Sequence, residues 1–189
     1  MADEFLGDRK KALEDSFFAK ENAKLVEQLR AEQEKTSARE GLAKVAGISD
    51  AAVLQKLVDL GITPETWAAV ALVPLVEVAW ADGSLDDKER RAILAAAEAN
   101  GVGAGSPSFE LLENWLAVRP DSQMLAAWGE SIAALCTTLD EREKQSLRAE
   151  VIGRARTVAE AAGGILGFGN KVSAEEAEVL SRLERAFDS

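Results

Sequence analysis

A chain of 189 residues with 22 basic and 33 acidic side chains carries a formal charge of −11, which repels phosphate backbones and anionic bilayers and excludes nucleic acid as a ready partner. It has no histidine, so neither a Ser-His-Asp nor a Cys-His nucleophile can be assembled and the commonest transition-metal ligand is missing. Its one cysteine, Cys136, allows no intrachain disulfide. Alanine and leucine dominate and β-branched runs are scarce, so the propensity sum favours helix throughout.

In chain order, residues 8–40 alternate in charge and predict one long, exposed helix. Leu13, Phe17, Phe18, Leu25, Val26 and Leu29 recur at spacings of three, four and seven, which makes a narrow stripe rather than a broad core face. Lys10/Glu14 and Arg30/Glu34 are opposite charges four apart, whereas Lys20/Lys24 and Lys35/Arg39 are like ones. A stripe with adjacent phenylalanines on a solvated helix wants a second surface, either the rest of the chain or a protein partner. Residues 1–47 are therefore assigned as a docking arm and linker, with Leu13, Phe17, Phe18, Leu25 and Leu29 as the partner-binding residues, and residues 48–189 as a bundle.

Ser37 to Gly47 is a weaker stretch, and Ile48-Ser49-Asp50 leads into a short helix ending near Gly61. Thr63, Pro64 and Glu65 form a start signal for a helix reaching about Trp80, with a kink or a break at Pro74. Helices follow at about 86–99, 108–117, 121–138, 140–162 and 173–187. Gly101 to Pro107 is the clearest loop. Apolar residues at helical spacing, from Val70, Val73 and Val76 through Ile93, Trp115 and Trp128 to Val179, Leu183 and Phe187, make the expected core. The four tryptophans read as core fillers, and Cys136, closing the apolar run from Ile132, as a buried thiol.

The chemistry left open is narrow. The glycines at 163, 164, 167 and 169 lie between helices with no strand before them, so they make no dinucleotide fingerprint, and no phosphate loop ending in Lys-Ser/Thr exists. Hydrolysis by carboxylates alone has no visible nucleophile to support it, and the chain is expected not to be an enzyme. Asp3 and Glu4 open a segment without a signal-peptide core, and the longest apolar stretch, Trp67 to Trp80, is interrupted by Pro74 and Glu77. Both point to a cytoplasmic chain with no membrane insertion.

Two segments repeat one pattern. Ala81-Asp82-Gly83-Ser84 makes a turn, Leu85 is apolar, Asp86 is an N-cap, and Glu89 completes a capping box. In the second copy Gly169-Asn170-Lys171 makes the turn, with Val172, Ser173 and Glu176 in the corresponding places and Leu180 matching Ile93. Such duplication predicts an all-α, compact helical bundle with an internal pseudo-twofold repeat, preceded by the long charged N-terminal helix.

The Ala-Asp-Gly turn followed by an apolar residue, a cap and a glutamate resembles the TerB-like domain of tellurite-resistance proteins, over about residues 65–189. The resemblance implies a compact all-α fold, a part in stress response, and acidic residues that bind a divalent metal, Ca²⁺ or Mg²⁺, carried over to Asp82, Asp86, Glu89 and Glu176. The second loop departs from the pattern, with Gly163 and Gly164 and no aspartate before the turn, which puts a symmetric two-half metal site in doubt. Capping alone also explains Asp86, Glu89 and Glu176, at roughly 1 kcal/mol per helix. An EF-hand is excluded, since counting from Asp82 its glycine position holds Asp87 and its twelfth position Ile93. Phe5, Asp8-Arg9, Ala12, Glu14, Phe17 and Glu21 in turn resemble the opening of the zeta-type inhibitor of bacterial ATP synthase. That likeness implies an N-terminal helix that inserts into a rotary ATPase.

Overall fold

The capping residues and helical apolar spacing read above resolve into helices, and no strand occurs among the described residues. The computed structural model describes the backbone of residues 2–162 and 172–188 and the side chains of residues 20–161 and 172–188. The elements are α1 (Ala2–Ala46), α2 (Ala51–Asp59), α3 (Trp67–Val70), α4 (Val73–Ala79), α5 (Asp87–Ala99), α6 (Pro107–Ala117), α7 (Gln123–Cys136), α8 (Glu141–Ala162) and α9 (Ala174–Arg185). None of the described helices is long and apolar enough to cross a membrane.

A short helix, α4, holds the centre. Every residue of α4 is buried, which follows from a sequence apolar on all sides, Val73-Pro74-Leu75-Val76-Glu77-Val78-Ala79, with one charge in it. Helices α5, α7, α8 and α9 pack around α4. The segment from Thr63 to Trp80 is two helices. Thr63 and Thr66 satisfy each other, the Thr63 amide donating to Thr66 Oγ1 at 2.9 Å, so the chain turns through 64–66 and α3 begins at Trp67. It breaks again at Ala71-Leu72, and Pro74 falls in the first turn of α4, where a missing N–H costs nothing.

Helices α4 and α5 pack together as one corner across the 80–86 turn, and α8 and α9 pack together as the other. The second helix of each corner packs on the first helix of the other, α5 on α8 and α9 on α4, with α4 against α8 between them. This crossed packing makes an all-α bundle, as the helical pattern predicts. Leu85 and Val172, at matching places in the two corners, are both partly buried against the core. Ile93 and Leu183 are fully buried, each contributing about 1.5–3 kcal/mol of apolar transfer.

The first helix runs unbroken through the stretch that read as weak. Its final turns carry Leu42, fully buried, and Ala46, and rest on α2 and α3. Contact is close there: Gly41 faces Pro64 so tightly that an added Cβ would lie 2.5 Å from Pro64 Cγ. Residues 20–35 are exposed on every side. One ion pair, Lys35 to Asp59 at 3.1 Å, links this exposed length to α2.

Candidate functional site at the capped corners

The acids of the first corner are held by local bonds dictated by the sequence. Gly83 takes φ +91°, a left-handed turn open to glycine, and lets Asp82 Oδ1 accept from the Ser84 amide at 2.9 Å and the Ser84 hydroxyl at 3.0 Å. Asp86 Oδ1 accepts from the amides of Lys88 at 2.6 Å and Glu89 at 2.8 Å, and Glu89 Oε2 accepts from the Asp86 amide at 2.8 Å. The capping box read from the sequence is therefore complete.

The second corner repeats this with a hydroxyl. Ser173 Oγ accepts from the Glu176 amide at 3.1 Å, and Glu176 Oε2 accepts from the Ser173 amide at 2.5 Å. Its expected turn residues, Gly169 to Lys171, and the four glycines from 163 to 169 lie outside the described residues.

The two corners come within electrostatic reach of each other. Glu89 and Glu176 are both buried, and the charges of Asp86, Glu176 and Asp82 all act on Glu89. Burial is the main cause that lifts the Glu89 carboxyl from its ordinary 4.5 to about 7. The bond from the Asp86 amide opposes the rise, and the three neighbouring negative charges add to it. All four acids named from sequence thus share one electrostatic neighbourhood, contributed by two segments of the chain some ninety residues apart.

Each of these carboxylates uses only one oxygen in the turn and capping bonds described above. The other oxygens are hard donors of the type Ca²⁺ or Mg²⁺ accepts. Among the described residues, however, no group of three or more His, Cys, Asp or Glu side chains converges closely enough to hold a metal ion as the side chains stand. A cation here needs the spare oxygens to turn toward one another.

Of the arm residues, Leu25 and Leu29 stand 54% and 61% exposed, with Val26 between them at 47%, on a stretch without apolar cover from the other described residues. The side chains of Leu13, Phe17 and Phe18 lie outside the described set. The tryptophans divide: Trp115 and Trp128 are buried, whereas Trp67 and Trp80 are half-buried at the core edge. Trp80 also has a polar task, its indole N–H donating to the Trp115 carbonyl at 2.9 Å. Cys136 is a buried free thiol, and burial pushes its pKa up.

Sequence reasoning missed Glu77. It read as an interruption of an apolar stretch, yet it lies 5% exposed within the central helix. Its one local signal is a lone carboxylate inside a seven-residue apolar helix.

No protein-family model, curated protein or solved structure matches this chain. The acids and the arm stand on their geometry alone.

Proposed function

We propose that the chain is a non-enzymatic interaction module of the TerB-like, stress-associated kind, whose acidic corner takes a divalent cation and whose first helix docks a protein partner. The observation that carries the reading is the gathering of Asp82, Asp86 and Glu176 around a buried Glu89 that holds its proton to about pH 7. Burial and the neighbouring negative charges both disfavour an ionised Glu89, and a hard cation drawn to the spare oxygens would answer that charge where a proton otherwise does. Cation and proton then compete for the same oxygens, so affinity rises with pH through neutrality.

The test is calorimetric titration of the full chain with Ca²⁺, Mg²⁺, Mn²⁺ and Zn²⁺ at pH 6 and pH 8, beside Asp82→Ala. The reading predicts heat from a hard cation, larger at pH 8 and reduced in the variant. No heat from any of the four metals removes the cation part.

A second reading, inhibition of a rotary ATPase of the ATP synthase type through α1, draws on the exposed run from residue 20 to 35 and on Leu25, Val26 and Leu29 standing open to solvent. It predicts that the full chain lowers ATP hydrolysis by the cognate synthase and that Leu25→Glu with Leu29→Glu abolishes the effect. A full chain that leaves hydrolysis unchanged sinks this reading while leaving the cation reading standing.

A further inference from the structure

Glu77 is the one buried side chain among the described residues with a polar atom left without a partner, its Oε1. It sits one residue past the midpoint of α4, the helix on which α5, α7, α8 and α9 all rest. A carboxylate in that position costs several kcal/mol in desolvation unless charge or hydrogen bonds answer it. The answer comes from two arginines on different elements. Arg119, in the connection from α6 to α7, brings its guanidinium to 3.8 Å from Glu77 Oε2 while its own side chain stays 50% exposed. Arg182, on the outer side of α9, acts on the same carboxylate from a greater distance.

The other neighbouring elements leave Glu77 alone. On α5, Arg90 is committed to the Leu116 carbonyl. The sole charge on α7, Glu130, pairs with Lys56. On α8, Arg148 pairs with Asp188 and Arg154 with Glu150, while Ala155, Val158 and Ala159 form its buried face. Among the described residues, Glu77 is thus a charge in the core answered by two cations from the rim.

We propose that Glu77 is a proton-operated latch: ionised, it draws Arg119 and Arg182 inward and clamps the α6–α7 connection onto the bundle, and protonated, it lets that connection go. Burial, opposed by Arg119 and then Arg182, holds the carboxyl above its ordinary value, so the latch works at a milder pH than a surface glutamate would allow. What the latch controls is the seating of residues 118–122, where Val118 is already 72% exposed.

The experiment is amide hydrogen exchange of the 117–123 segment of the full chain between pH 4 and pH 8, corrected for intrinsic exchange, together with a side-chain carbon NMR titration of Glu77. Protection of the segment is expected to fall about two- to fivefold as Glu77 takes its proton, the range a half-exposed ion pair provides. Glu77→Gln should hold the segment in its loosened state at every pH. If that variant does not fold, Arg119→Gln serves, since it leaves the core residue in place and should move the Glu77 midpoint upward. An ordinary midpoint for Glu77, protection that ignores its titration, or a midpoint unmoved by Arg119→Gln overturns the proposal.

Discussion

Replacing Glu89 by glutamine separates the two tasks of that side chain. The carboxamide oxygen can still accept the Asp86 N–H, so the capping box survives, while the charge that Asp82, Asp86 and Glu176 repel is gone. Because the folded carboxyl sits near 7 against 4.5 unfolded, its stabilising contribution is fully present below 4.5 and is lost as pH rises through 7. The shift sets a ceiling of about 3 kcal/mol on what ionisation costs the fold. Solvent screening at this corner reduces the expected effect to about 1–2 kcal/mol.

Glu89→Gln should therefore stabilise the chain by that amount at pH 8, raising Tm by about 3–6 °C, and change little at pH 5, where the native residue already carries its proton. Urea denaturation of both proteins at the two pH values measures it. Glu77 pulls the wild-type pH profile in the same direction, so the difference between the variants, not the wild-type slope, isolates Glu89. An equal effect at both pH values, or a loss of stability at pH 8, refutes the view that burial and the neighbouring acids make an ionised Glu89 costly to the fold.

Gly41→Ala places a methyl 2.5 Å from Pro64 Cγ and should destabilise the root of α1 by about 1–3 kcal/mol, seen as faster amide exchange in its last two turns. Ser173→Ala removes the acceptor for the Glu176 amide and should lower urea stability by about 1 kcal/mol; an unchanged midpoint would mean that the second corner is not held by its cap.

The two capping boxes were legible because each is a four-residue pattern whose bonds close within itself. That they come within electrostatic reach of each other was not written in either pattern. The recurrence of Leu85 and Ile93 as Val172 and Leu180 hinted at it, but the approach of Glu176 to Glu89 depends on α5 and α9 crossing onto opposite partners. Thr63-Pro64 carried a start signal, yet a second threonine three residues on offered a competing partner, and the helix began later. At Pro74 the residues favour a kink and allow a break, and the chain instead breaks just before it, at Ala71-Leu72, leaving the proline in the first turn of α4. Glu77 was illegible for a different reason: a lone acid in an apolar run usually marks a solvated edge, and the arginines that answer it come from 42 and 105 positions further along.

The arm also sets an electrical distance. Residues 1–46 hold 9 basic and 10 acidic side chains, against 13 and 23 in the remainder, so nearly all of the negative charge belongs to the bundle. At about 1.5 Å per residue, Leu25 and Leu29 stand some 20–25 Å along the helix from Leu42, where it seats. That exceeds two screening lengths at cellular ionic strength, about 8 Å each. A molecule gripping Leu25 and Leu29 therefore meets a nearly neutral rod, with the charge of the bundle largely screened from it.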